Sequence, residues 1–461
     1  MKSIYIILIS IALFAYNNAH AQRNLTLHSL KNTPQSMQVN PAFRPKTNVF
    51  ISLPVIGFES FSCTNNGFAL NQLFTADATD SLILNNKDDF FSNMPKNGYV
   101  NFQMQNLLLG FGWKWKKNYY SFDITNNFNY EFDYTSDWVK FLFQGNGGSL
   151  LGQRANFDGL GLQISDYIAY GIGYNREIND KLVVGGKLKI LSGISNVRTK
   201  NTTFGLTTGS DGLSFALDGS ANVNTSNSAV FFDSTKTDAQ KMTSFTNSIS
   251  KFGNFGLAID LGATYQLNEK IALNASVIDL GFINWSSGIK NYQIKPFNYA
   301  FNGIDVGSYL KDTSNVLTTM TDSIKNIFKQ TEDNTKYTSA LATKFYIGGT
   351  YKLNKYFDLG GLWYNEIVRS TYRPALVISS TVHVKSWLSA TINYGMYARA
   401  YNNLGFGLSL RGGPIQFFVL TDNLLALPIF NMYGSRAASA SFGLNLLIGK
   451  GKKPDATPSV Q

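Results

Sequence analysis

The sequence predicts an all-β chain, a transmembrane antiparallel β-barrel of the outer-membrane type. It would have roughly 14 strands, or 16 if one further hairpin joins the wall, with short helices in the extracellular loops and an N-terminal plug segment at the periplasmic mouth or in the lumen. Three observations carry this. Segment after segment alternates apolar and polar residues at the two-residue period of a strand. The segments run about ten residues or more, the length that a tilted strand needs to cross a bilayer. Short polar turns alternate with long loops, as periplasmic turns alternate with outer loops in such barrels. The composition agrees: 14% of the 461 residues are aromatic, 40 are glycine and only 15% are charged.

At the N-terminus, Lys2 precedes the apolar run "IYIILISIALFAY" and an Ala19-His20-Ala21 box. This reads as a signal peptide over residues 1–21, removed after Ala21. No cysteine follows the box, so a lipid anchor is not expected. Residues 22–46 read as a plug or hatch. Pro41 and Pro45 remove two ladder donors within five residues, which ends the wall there. The candidate plug residues are Asn40, Pro41, Ala42 and Phe43.

Residues 47–449 read as the barrel. In "LATKFYIGGTYKL", Phe345, Ile347, Tyr351 and Leu353 oppose Lys344, Tyr346, Gly348, Thr350 and Lys352. "KLVVGGKLKIL" sets Leu182, Val184, Leu188 and Ile190 against Gly185, Lys187 and Lys189, and "GLAIDLGATYQL" and "LLLGFGWKWK" repeat the pattern. A soluble sandwich also alternates. Here, however, the polar faces are rich in Gly, Ser and Thr. Aromatics gather near strand ends (Trp113, Trp115, Tyr119, Tyr120, Tyr351, Tyr356, Trp387) as in interfacial girdles, and no helix is long and apolar enough to cover a sheet. The apolar face is expected to meet lipid.

Tight turns fall at Lys117-Asn118, Asn179-Asp180, Asn268-Glu269, Asn354-Lys355, Lys385-Ser386 and Gly412-Gly413, all rich in turn-forming residues. Long stretches at 129–166, 226–254 and 284–340 lie between them. This parity places both termini in the periplasm and leaves one hairpin, 196–225, either in the wall or outside it. Residues 450–461 read as a disordered periplasmic tail. In the longest loop, 306–329, Leu310, Leu317, Met320, Ile324 and Phe328 share a helical stripe. It either packs on the barrel mouth or forms a ligand face. Met242, Phe245, Ile249 and Phe252 repeat the stripe more weakly, and 136–144 reads as a short helix capped by Ser136.

Catalytic chemistry finds little support. Of three histidines, only His383, with Ser379 or Ser389, could be placed beside a nucleophile. No zinc-spaced cluster exists, "GNGGSLLG" lacks the strand and lysine of a phosphate loop, and "DITNNFNYEFDYTSD" fits no calcium loop. The chain is therefore expected not to be an enzyme and to need no cofactor or metal. Its single cysteine, Cys63, excludes an intrachain disulfide and reads as a buried apolar residue. A formal charge of +11 would suggest nucleic acid in a cytosolic protein, but export removes that partner. Lys187, Lys189, Lys344 and Asp260 are candidate lumen charges. They form either a solvated, partly paired interior or an anion-favouring pathway.

Asn40-Pro41-Ala42 before the first strand resembles the hatch region of the FadL-like fatty-acid transporters, which implies a 14-stranded barrel plugged by its N-terminal segment. The blocks "NPAFRPKTNVFISLPV", "REINDKLVVGGKLKILSGISNV" and "DLGATYQLNEKIALNASVIDLGFINW" look like an uncharacterised family of Bacteroidota outer-membrane proteins related to that superfamily and to PorV-type secretion components. The resemblance covers most of the chain and brings no catalytic residue with it. Where such barrels commonly end on an aromatic residue, this chain continues from "FGLNLLIGK" into "GKKPDATPSVQ".

The expectation is an outer-membrane protein in contact with outer-membrane lipid that binds or transports a small hydrophobic solute. The competing expectation is a non-conducting structural or secretion-associated scaffold that binds exported proteins.

Overall fold

The computed structural model describes residues 24–76, 82–84, 87–228, 237, 240, 252–301, 330–369, 371–427 and 434–449. Its wall has fourteen antiparallel strands closed into a barrel. They are β1 (Val49–Ser52 continued by Glu59–Asn65), β2 (Asn97–Trp115), β3 (Asn118–Thr135), β4 (Gly161–Glu177) and β5 (Leu182–Thr208). Next come β6 (Phe255–Gln266), β7 (Ile271–Trp285), β8 (Tyr337–Ala340 continued by Thr343–Lys352), β9 (Phe357–Val368) and β10 (Thr371–Val384). The last four are β11 (Leu388–Tyr397), β12 (Ala400–Gly412), β13 (Ile415–Thr421) and β14 (Ala437–Ile448). Closure is made by β1 on β14, with Val49 opposite Ile448 and Glu59 opposite Phe442. A closed wall leaves no edge to be satisfied in lipid.

The six expected tight turns all occur, on one end of the barrel. Three share one device: the Oδ1 of Asn179, Asn268 or Asn354 accepts the backbone N–H groups two and three residues on, at 2.8 to 3.0 Å. This is the local reason that Asn opens these turns. Two connections at the opposite end are equally tight, Val368 to Thr371 and Tyr397 to Ala400.

The alternation has the sign that lipid requires. Ile347 is 54% exposed and Leu188 53%, while their neighbours Tyr346 and Lys187 are 2% and 4% exposed. In a water-soluble sheet the apolar residue would be the covered one. The inward face instead carries small polar side chains such as Ser52, Asn274, Thr391, Ser441 and Asn445, all buried. No helix among the described residues is long and apolar enough to cross a membrane.

Several expectations are corrected. The first strand, expected near residues 47–60 from the alternation that starts at Val49, is not continuous: it breaks over Leu53–Phe58, because Pro54 has no N–H to donate and Val55 takes a left-handed φ of 67°. Tyr119 does not belong to a girdle. It points inward, 1% exposed, and stacks on Phe50. Cys63 is half-buried on the outward side of β1, not in a core. The helix Ser136–Gln144 is capped by Thr135, whose Oγ1 accepts from Trp138 N at 3.2 Å, and not by Ser136.

The hairpin 196–225 lies outside the wall, so the count is fourteen. Beyond Ser192, β5 leaves β6 and pairs with Phe215–Ser226, which pairs with Asn291–Phe301, which pairs with Gln330–Asp333. These four strands form a sheet that extends past the wall at the long-loop end.

The topology gives a labelling prediction. In a Cys63→Ser background, cysteines at Glu269 or Lys355, exposed in the tight turns, should resist an impermeant thiol reagent on intact cells, while one at Asn334, exposed beyond the other end, should react. The reverse labelling would invert the orientation.

Candidate functional site

The lumen is occupied by the chain's own residues 24–48. They contain a helical turn, Leu25–Ser29, and a 3-10 turn, Pro34–Gln38. Pro34 opens the second, as its fixed φ and missing N–H favour. Asn40 Oδ1 accepts from Ala42 N at 2.9 Å and turns the chain before it leaves toward β1.

The segment joins no strand ladder and is held mainly by side chains. Backbone N–H groups of Leu25 and Thr26 donate to the Asp422 carboxylate after β13, at 3.2 and 2.8 Å. His28 Nε2 meets Asn274 Oδ1 of β7 at 2.7 Å, and Lys31 Nζ donates to Thr350 Oγ1 of β8 at 2.7 Å. Gln35 Nε2 donates to Ser52 Oγ and Asn445 Oδ1, where β1 closes on β14. Asn175 Nδ2 of β4 donates to Pro41 O at 2.9 Å. Arg44 pairs with Glu177 and donates to Lys117 O beside the first tight turns.

Glycine makes room for this. A Cβ at Gly185 would overlap the Pro41 carbonyl, one at Gly262 would overlap the Asn40 amide, and one at Gly348 would lie 2.8 Å from the His28 ring. The inward face of the wall is cut down to backbone where the segment approaches.

The two halves of the lumen differ. Leu25, Leu27, Leu30, Val39 and Phe43 pack with inward residues of β9 to β13, among them Leu362, Val377 and Phe418, in one buried apolar cluster. Beside it lies a small, partly enclosed void of about 40 Å³ lined by Asn24 and Gln38 of the segment and by polar wall residues including Gln105, Asp123, Thr125, Lys187, Asp279 and Lys344. His28 sits at the boundary, edge-on to Phe43 and parallel to Tyr346. Burial first, and the Lys31 charge second, lower its pKa to about 3. The ring is neutral at physiological pH.

The charges facing the void are paired. Lys187 Nζ donates to Asp123 at 2.5 Å, Lys189 reaches both Asp260 and Asp279 at 2.7 Å, and Lys344 reaches Asp279 at 2.6 Å. An unpaired cation in such a place would carry a desolvation penalty that pairing offsets.

At the long-loop end a second set of charges crosses the lumen. Arg373 of β10 donates to both oxygens of Glu131 on β3, at 2.7 and 2.8 Å, and Arg369 donates to Glu131 and Asp133 at 2.5 and 2.6 Å. At the turn end, Asp358, His383 and Ser389 form a hydrogen-bonded row with contacts of 3.2 and 3.0 Å. Here Asn32 Nδ2 donates to Ser389 Oγ at 3.0 Å, so the serine holds the N-terminal segment. No group of three or more His, Cys, Asp or Glu able to hold a metal occurs among the described residues.

Of the residues singled out in the sequence, Asn40, Pro41, Ala42 and Phe43 lie buried inside the barrel, and Lys187, Lys189, Asp260 and Lys344 meet around the lumen. Leu310, Leu317, Met320, Ile324 and Phe328 lie outside the described residues. Sequence reading missed His28, Gln35, Asp422 and the Glu131 and Arg373 pair. The only signal for Glu131 and Arg373 was charge in strand-like sequence.

Residues 41–422 match the model of a family described as "Family of unknown function (DUF5723)". No curated protein matches the chain. Among solved structures, the chain is similar to the Ralstonia pickettii toluene transporter TbuX, with 10% identity over 90% of this chain and 94% of that one and a TM-score of 0.41. It is similar to a Pseudomonas aeruginosa FadL homologue at 10% identity, covering 91% and 94%, TM-score 0.39. It is also similar to the Pseudomonas putida toluene transporter TodX at 9%, covering 91% and 94%, TM-score 0.36.

Proposed function

We propose, from the premise that this chain belongs to the DUF5723 family and from its lumen, that it transports a small, largely hydrophobic solute across the outer membrane, with residues 22–46 as a releasable plug. One observation carries the reading. The segment in the lumen is fastened by side-chain hydrogen bonds and apolar packing and by no ladder, so it can leave without breaking the wall. A permanent filler would gain from strand pairing; a plug must avoid it.

The aromatic-rich cluster over the outer ends of β2 and β3, with Phe68, Phe90, Phe91, Phe132, Trp138 and Phe143, supports capture of an apolar body. The polar void adds a requirement, since a solute crossing it must also offer hydrogen-bonding groups. In this reading the signal peptide is cleaved after Ala21 and residues 450–461 belong to the periplasmic side. Kinship with Bacteroidota outer-membrane and PorV-type proteins belongs to the same proposal. The scaffold reading draws on the four-stranded sheet beyond the wall, which offers a surface to exported proteins.

The test is deletion of residues 22–39. A heat-modifiable barrel should remain and show raised single-channel conductance and antibiotic uptake. A folded deletion variant with unchanged conductance and uptake, even after the outer end is also opened as described below, would remove the transport reading and leave the scaffold.

A further inference from the structure

We infer that the lumen has a second barrier, an ionic clasp at the outer end, and that Arg373 moves between two carboxylates to close and open it. The inference deepens the transport reading and rests on it for its purpose, but not for its geometry.

The clasp joins opposite walls. Glu131 and Asp133 belong to the third strand and Arg373 to the tenth, so they stand seven strands apart in either direction round a wall of fourteen. Hydrogen bonds at 2.5 to 2.8 Å between them therefore cross the lumen. Neither side hangs from a long loop: Glu131 and Arg373 are strand residues, and Arg369 sits in the tight turn from β9 to β10. Asn101 Nδ2 of β2 donates to Glu131 at 2.9 Å, and the Arg373 guanidinium lies 3.9 Å over the Tyr99 ring. Glu131 and Arg373 are 1% and 7% exposed, so the pair is buried where it meets.

The alternative partner is Glu366. It is directly opposite Arg373 in the β9–β10 ladder and opposite Lys344 in the β8–β9 ladder, so all three side chains share the inward face. Glu366 is 3% exposed, and its Oε1 has no hydrogen-bond partner among the described residues; the same is true of Arg373 Nε. A buried carboxylate oxygen without a donor is costly. Here it stands one strand from a guanidinium that is committed across the lumen. Swinging Arg373 from Glu131 to Glu366 supplies Glu366 with a donor while Glu131 keeps Arg369, so neither carboxylate is left without a cation, and it reduces the bonds across the lumen between β3 and β10 to those of Arg369, loosening the clasp. Two discrete pairings of one side chain are the bistable element that a switch needs.

The two barriers act in series, and the experiment uses planar-bilayer conductance with the plug present and deleted. In the barrel lacking residues 22–39, Glu131→Gln should raise open probability severalfold by leaving Arg373 to Glu366. Glu366→Gln should lower it by leaving Arg373 only Glu131. These near-isosteric changes keep volume, and heat-modifiable mobility checks folding. The exchange Glu131→Arg with Arg373→Glu should restore closure. In the full-length chain none of these variants should conduct.

Equal effects of the Glu131 and Glu366 changes, in either direction, would overturn the two-partner clasp while leaving the plug intact. Conductance from Glu131→Gln in the full-length chain would overturn the plug instead, because the outer barrier alone would then have been the seal.

Discussion

Arginine in place of Ile347 or Leu188 should destabilise the folded barrel by about 2 to 4 kcal/mol near the bilayer midplane, and reduce the heat-modifiable form recovered from membranes. Both side chains stand out from the wall, 54% and 53% exposed, on the face proposed to meet lipid. The control is one residue away. Lys187→Arg keeps its charge toward Asp123, 2.5 Å from the present ammonium, and should fold as the parent does. Gly348, although it also faces inward, is a poor control, because any Cβ there presses on the His28 ring at 2.8 Å. Arginine there should fold into the wall yet displace the segment. Equal loss of barrel from Leu188→Arg and Lys187→Arg would show that the exposed face does not meet lipid.

Acid should loosen the plug. His28 is held at a pKa of about 3 in the docked segment against an ordinary value of 6.5, so the released state binds more protons between these values. The docking stability is therefore complete above pH 6.5 and falls as pH drops toward 3. With a limiting slope of about 1.4 kcal/mol per pH unit, docking at pH 4.5 should be weaker by about 2.3 kcal/mol than at pH 6.5, where the released imidazole is already half protonated. Lys31, lowered chiefly by burial to about 8, completes its own change above that window and contributes no slope within it. Leu27, fully buried in the segment, provides the readout: with Leu27→Cys in a Cys63→Ser background, the thiol-labelling rate relative to that of a cysteine at exposed Asn334, a ratio in which the falling thiolate fraction cancels, should rise as pH falls from 6.5 to 4.5. Adding His28→Gln, which keeps an amide toward Asn274, should flatten the dependence. The same rise in both would assign the effect to another group.

What the sequence determined by itself was the wall. Alternation at Phe345, Ile347 and Tyr351 follows from the wall's two faces, one outward and one toward the lumen, a constraint each strand feels locally. The Asn-led turns at 179, 268 and 354 are equally local, because one side chain caps its own next residues. Where the strands leave the closed wall that constraint ends. Local pattern did not show that β5 runs for 27 residues to Thr208, or that the hairpin at 196–225 pairs outside the wall, since their extra length is supported only by partners such as Asn291–Phe301. Tertiary structure alone decided the contents of the lumen. Gly185 and Gly262 read as strand residues of a polar face; only the arrival of Pro41 and Asn40 shows why no side chain fits there. Nor does any spacing in the chain join Glu131 to Arg373. They are 242 residues apart, on strands that never pair, and meet only because closing the barrel brings opposite walls within reach of two long charged side chains.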